Sequence, residues 1–220
     1  MKRAFIFDMD GVIIDSEPLH SKIKLLTLRH YGLDFDESGL SFYMGRKTKE
    51  FFEAVIARDG RSGLPDPDEM VDWKHAAYLK ALDVDREIAP VKGIPELIAG
   101  LKERGFRLGL ASSAGEVIIR AVLKRFALTD SFEVVISGAG LAKSKPDPAI
   151  YRLAAEGLGV RAEECIVLED AASGVAAAKA AGMYCIAYRN PHSGIQDLAA
   201  ADMRVEEIAE ILPAVDKLPR

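Results

Sequence analysis

Four short clusters carry side chains that could do chemistry together. Asp8 and Asp10 stand two residues apart in D-M-D-G, directly after the apolar run 4–7. Glu169 and Asp170 follow the run 165–168 in the same way. Ser112 and Ser113 end the run 106–111, and Lys145 opens K-P-D-P a short distance after the run 134–136. Carboxylates at the ends of apolar segments are costly to bury without compensation. The four acids give a formal charge of −4, which one divalent cation and Lys145 reduce to −1 and one carboxylate proton reduces to zero. Few, hard oxygen ligands suit Mg²⁺, which keeps waters and takes a substrate phosphate as a further ligand. In such a setting one carboxylate can attack phosphorus. A second can protonate the leaving oxygen and then activate water. A hydroxyl and a lysine can hold the transferring oxygens. Each cluster alone has a plainer reading: a turn for D-M-D-G, a helix N-cap for Ser112, a solvated lysine, an acidic loop. Their joint occurrence, each after an apolar run, is what points to chemistry.

The runs 4–7, 106–111, 134–136, 165–168, 184–187 and 203–205 read as buried strands of a parallel sheet. Helical spacing at 95–104, 115–126, 148–157 and 173–181 alternates with them. The first of these helices has Pro95 in its first turn and stops at Gly105. Strict alternation predicts an α/β fold with a doubly wound, Rossmann-like parallel sheet. Ligands of such sheets bind at the carboxyl ends of the strands, where all four clusters fall. From 16 to 88 no strand is legible, and helical stretches read at 17–30, 47–57 and 68–82. The predicted organisation is a core of 1–15 and 89–220 with an inserted α-helical cap of 16–88.

The 220 residues are 49% apolar and 29% charged, enough for a sizeable core. A net charge of −5 argues against a nucleic-acid footprint. Cys165 and Cys185 sit in apolar runs and read as buried thiols, without disulfide or zinc spacing. The first apolar run is too short for a signal peptide, and no stretch reaches the roughly 18 apolar residues that span a bilayer. The expectation is a soluble cytoplasmic protein. Gly138-Ala139-Gly140 fails as a dinucleotide fingerprint because Lys143 holds the third glycine's position. D-M-D-G has its glycine too early for a calcium loop.

D-M-D-G-V at 8–12, A-S-S at 111–113, K-P-D-P at 145–148 and L-E-D-A-A-S-G at 168–174 together resemble the four motifs of the haloacid dehalogenase superfamily. The likeness is to its helical-cap phosphatases and β-phosphoglucomutases. The resemblance implies Asp8 as nucleophile and Asp10 as general acid/base. It implies phosphoryl binding by Ser112, with Ser113 beside it, and by Lys145. Mg²⁺ would be held by Asp170, the Asp8 carboxylate and Asp10 through its backbone carbonyl, with Glu169 a further ligand or an outer partner. An aspartate two positions after the nucleophile favours phosphoryl transfer over dehalogenation.

Specificity is expected from the cap, where His20, Arg46, Lys47 and Lys74 are the candidates. His20 and Lys74 resemble a hinge histidine and a substrate-binding lysine of β-phosphoglucomutases. On its own residues Lys74 reads as a surface lysine, and His20 equally as a solvent-facing one. The mutases carry an arginine three residues after the cap glycine, whereas here Thr48 follows Gly45-Arg46-Lys47. The expected function is Mg²⁺-dependent hydrolysis of a small phosphorylated metabolite, such as a sugar phosphate, through an aspartyl-phosphate. The alternatives are a phosphosugar mutase and a non-enzymatic binding protein. A monomer or weak homodimer is expected.

Overall fold

The computed structural model describes residues 2–36 and 48–218. In chain order, β1 (Ala4–Phe7) is followed by α1 (Glu17–His30), α2 (Thr48–Asp59), α3 (Pro67–Val84) and α4 (Ile94–Glu103). Then come β2 (Arg107–Ser112), α5 (Glu116–Arg125), β3 (Val134–Ser137), α6 (Ala149–Gly157) and β4 (Cys165–Glu169). The chain ends with α7 (Ala172–Ala180), β5 (Tyr184–Tyr188), β6 (Met203–Val205) and α8 (Ile211–Val215). Two compact units result: Met1–Ser16 with Arg86–Arg220, and Glu17–Asp85.

The first unit is built on a six-stranded sheet in the order β3-β2-β1-β4-β5-β6, every pair parallel. This is the doubly wound α/β architecture that the alternation predicts. β1 and β4 lie in the middle and every residue of both is buried, as strands covered on two faces require. The order reverses between β1 and β4, and the carboxyl ends beside such a reversal form the ligand crevice of this architecture. Register sets the level of that crevice. Phe7 is paired with both Leu110 and Leu168, so Asp8, Ala111 and Glu169 leave three adjacent strands together. The Asp8 amide extends the ladder to the Leu168 carbonyl at 3.0 Å.

Helix faces seal the sheet. α6 buries Ile150, Tyr151, Ala154 and Ala155, and α7 buries Gly174, Val175, Ala177 and Ala178. The small residues of α7 let it approach β4 and β5 closely, which is the physical use of an alanine-rich segment here. Cys165 and Cys185 are free, buried thiols within this core.

In the second unit, α1, α2 and α3 enclose Leu25, Leu28, Leu33, Phe51, Phe52, Val55 and Met70. Each fully buried side chain of this size contributes about 1.5–3 kcal/mol. α3 begins where Asp66 accepts from the Asp68 amide at 2.8 Å with Pro67 at the first helical position, which satisfies orphan donors of the first turn. Among the described residues no helix is long and apolar enough to cross a membrane.

Candidate active site

The sheet order brings the strand-end clusters into one place. Lys145 Nζ donates to Asp8 Oδ1 at 2.5 Å and to Glu169 Oε1 at 2.7 Å. It also reaches the Ala111 carbonyl at 3.4 Å, so one ammonium ties together the ends of β1, β2 and β4. The lysine side chain is only 8% exposed, and Glu169 only 1%. A pair this dry survives because each charge has a partner at contact distance.

Glu169 is held from every side. Besides Lys145, its Oε1 accepts from the Tyr151 hydroxyl at 2.6 Å. Its Oε2 accepts from the amides of Asp170 at 3.0 Å and Ala171 at 3.2 Å. A carboxylate offers roughly four lone-pair sites, and here four donors occupy them. Gly174 permits this approach, since a Cβ there would lie 1.7 Å from Glu169 Oε1.

Asp170 is buried and accepts from the Ser193 hydroxyl at Oδ2. It lies against Gly11, whose φ is +78° and where a Cβ would meet Asp170 Oδ2 at 1.9 Å. Gly11 therefore answers two demands at once, a left-handed backbone and a close approach. Ser112 is fully buried at the end of β2 and donates to Asp10 Oδ2 at 3.5 Å. Its oxygen accepts from the Ala114 amide at 3.1 Å. The N-cap reading of Ser112 is not realised: α5 starts at Glu116, after an extended Gly115. Ser113 is exposed.

Burial raises the Asp8 carboxyl well above its ordinary range, against the pull of Lys145. Asp170 is pushed up to about 7 by burial and the Glu169 charge, with the Ser193 hydroxyl acting in the opposite sense. For Lys145 burial disfavours the cation, but Asp8 and Glu169 outweigh it and raise its pKa. The site thus holds more negative charge than one lysine balances. Asp8, Glu169 and Asp170 each offer a carboxylate oxygen, all within 4.8 Å of one another, a set that could hold a metal ion. Hard oxygens in that number fit Mg²⁺. Because four donors already fill Glu169, the unspent acceptor capacity belongs to Asp8 and Asp170.

The second unit's candidates form a separate pair. Lys74 is 4% exposed, contrary to its reading as a surface lysine. Its Nζ is 3.3 Å from His20 Nδ1 and 5.8 Å from the centre of the Tyr78 ring. His20 stacks on Tyr78 with ring centroids 4.7 Å apart. A lysine donor at Nδ1 requires a lone pair there, so the imidazole is neutral with its proton on Nε2. Burial, then Lys74, Lys24 and His75, lower the His20 pKa to about 3. Arg46 and Lys47 lie outside the described residues.

Sequence reasoning missed Tyr151, Asn190 and Ser193. Tyr151 reads as a core aromatic at helical spacing, and nothing local announces its hydroxyl's partner. Asn190-Pro191 does announce a turn directly after a strand of the sheet, and that strand neighbours β4.

A family model described as haloacid dehalogenase-like hydrolase matches residues 5–188. Hexitol phosphatase B of Escherichia coli (strain K12) is 33% identical over 210 residues, covering 94% of this chain and 93% of its own. Beta-phosphoglucomutase of Bacillus subtilis (strain 168) is 28% identical over 212 residues, covering 95% and 91%. The crystal structure of CbbY from Rhodobacter sphaeroides in complex with phosphate superposes with a TM-score of 0.81 at 28% identity, over 96% of each chain.

Proposed function

The chain belongs to the haloacid dehalogenase-like hydrolases, and on that premise we propose that it is a Mg²⁺-dependent phosphatase of a small phosphorylated metabolite. A sugar phosphate or similar monoester is the substrate class. The reading is carried by the buried Asp8–Lys145–Glu169 constellation at three strand ends, with Asp10 and Ser112 beside it. Similarity to a hexitol phosphatase supports the substrate class.

In this reading Asp8 attacks phosphorus in line and carries the phosphoryl group as an aspartyl-phosphate. Asp10 gives its proton to the leaving oxygen and then takes one from water. Ser112 donates to the transferring oxygens, with Ser113 adjacent, and Lys145 supplies positive charge to them. Mg²⁺, held by Asp8, Asp170 and the backbone carbonyl of Asp10, would neutralise charge developing on the phosphoryl group. Glu169, filled by four donors, fixes Lys145 instead of spending its oxygens on the ion. Substrate choice is assigned to His20 and Lys74.

A second reading, a phosphosugar mutase, draws on the similarity to beta-phosphoglucomutase. Thr48, in the position where the mutases carry arginine, weighs against it. The test is a panel of hexose 1- and 6-phosphates, hexitol phosphates, nucleotides and an aryl phosphate, with and without Mg²⁺. Free phosphate and isomerised sugar phosphate are both quantified. Metal-dependent free phosphate is expected, and Asp8→Ala is expected to remove at least about 10³-fold of the rate while keeping its circular dichroism. Isomerised hexose phosphate in place of free phosphate selects the mutase. Substantial turnover by folded Asp8→Ala overturns the mechanism.

A further inference from the structure

We infer that the loop leaving β5, residues 189–196, positions the metal-holding carboxylate, with Ser193 orienting Asp170 and Asn190 holding Ser193 in place. The inference rests on the Mg²⁺ site proposed above and adds a part that none of the four sequence motifs contains.

The loop begins with Asn190-Pro191-His192-Ser193, an order that suits a tight turn: asparagine first, proline second. The Ser193 amide donates to the Asn190 carbonyl at 3.3 Å and closes the turn. The His192 amide donates to Asn190 Oδ1 at 2.8 Å. Asn190 is only 5% exposed. Its amide nitrogen donates to the Gly11 carbonyl at 2.9 Å and to Asp15 Oδ1 at 3.4 Å. Asp15 also pairs with the His192 ring through its other oxygen. The turn is therefore fastened to the segment that follows Asp8 and Asp10. At the loop's far end, Gln196 Oε1 accepts from the Ala172 amide at 3.0 Å, at the start of α7. Gln196 Nε2 donates back to the Ser193 carbonyl at 2.8 Å.

Between these two anchors the Ser193 hydroxyl donates to Asp170 Oδ2. Asp170 is confined by that hydroxyl and by Gly11 beneath it. A donor on one carboxylate oxygen fixes the plane of the group and leaves the other oxygen's lone pairs for a cation. Outer partners of this kind orient metal ligands, and their loss typically weakens metal binding 10–100-fold. The Ser193 hydroxyl acts on the proposed site through its hydrogen bond to Asp170, so it is a positioning residue.

The test is calorimetric titration of Mg²⁺ into the full chain without substrate, beside the melting temperature of the metal-free protein. Ser193→Ala is expected to weaken Mg²⁺ binding about tenfold or more with an unchanged melting temperature. Ser193→Thr, which keeps the hydroxyl, is expected to bind as the wild type does. Ser193→Val, the same shape without the hydroxyl, is expected to bind as Ser193→Ala does. Asn190→Ala should lower both affinity and melting temperature, because it also unpairs the buried Gly11 carbonyl. Wild-type affinity in Ser193→Ala and Ser193→Val overturns the inference while leaving the metal site standing. Equal weakening in Ser193→Thr and Ser193→Val also overturns it, since shape and not the hydroxyl then matters. Absence of Mg²⁺ binding by the wild type overturns both the inference and the metal site.

Discussion

Among the described residues, Lys145 in the first unit and Lys74 in the second are nearly excluded from water, and the neighbours described for them differ. Lys145 stands between two carboxylates, at 2.5 Å from Asp8 and 2.7 Å from Glu169, and its pKa is raised. The neighbours described for Lys74 are an imidazole nitrogen at 3.3 Å and the face of Tyr78. In the first region the protein adapts the charges to one another, so the lysine is a structural partner as well as a chemical one. In the second the histidine does the adapting, by staying neutral. The same residue type thus meets two carboxylates in one region and, among its described neighbours, an imidazole and an aromatic ring in the other.

Removing the lysine from the first region breaks the comparison most visibly. Lys145→Met keeps the stem and deletes the charge, leaving Asp8 and Glu169 buried together without their common donor. Breaking a buried ion pair costs about 3–5 kcal/mol, read by urea unfolding. Loss of a preorganised donor costs about 10²–10³-fold in kcat, read on the best substrate of the phosphate panel. A Lys145→Met protein as stable as the wild type would show that the carboxylates do not need the lysine and that the two regions are alike.

The same contrast explains what the sequence discloses. Asp8, Ser112, Glu169 and Asp170 are legible because each lies at or just beyond an apolar run, and Lys145 because it opens K-P-D-P in the loop after another; a parallel sheet gathers strand ends. The fold class follows from the same alternation. Strand order does not follow, and the contacts of Tyr151 with Glu169 and of Ser193 with Asp170 depend on it. Those pairs are 18 and 23 residues apart: the first is joined once α6 packs over β1 and β2, the second once β4 and β5 are neighbours. Lys74 escaped for a different reason. Met70, Lys74, Tyr78 and Leu82 recur every fourth residue and form the buried stripe of α3. Helical period places Lys74 within that stripe, whereas its charge alone points to the surface.

A smaller effect tests the adapting histidine. His20 titrates near 6.5 when unfolded and at about 3 when folded. Between those values the unfolded chain binds more protons, so stability is full above about 6.5 and is lost as pH falls toward 3. Complete burial would make the loss between pH 7 and pH 4 about 3 kcal/mol. The partial exposure of the ring reduces it to roughly 2 kcal/mol. His20→Gln keeps an acceptor for Lys74 and removes the titration. Its unfolding free energy is therefore expected to fall less than the wild type's over that range, in urea melts at pH 7, 5.5 and 4. Parallel pH profiles for the two proteins would mean that His20 is not held neutral.

The finest test separates the lysine's field from simple burial as the cause of that neutrality. Burial is the larger influence on His20, and Lys74 comes next, ahead of Lys24 and His75. Lys74→Met leaves the burial and removes the nearest charge, so the His20 pKa must rise toward its ordinary value without reaching it. A rise of about one unit corresponds to about 1.4 kcal/mol of repulsion relieved, and is measured by following the imidazole carbon-bound protons by NMR across pH 3–8. Lys24, His75 and the Tyr78 stacking remain in the variant, which bounds the rise. If the His20 pKa does not move, desolvation alone keeps the ring neutral and Lys74 exerts no field there. The two regions would then differ in packing and not in electrostatics.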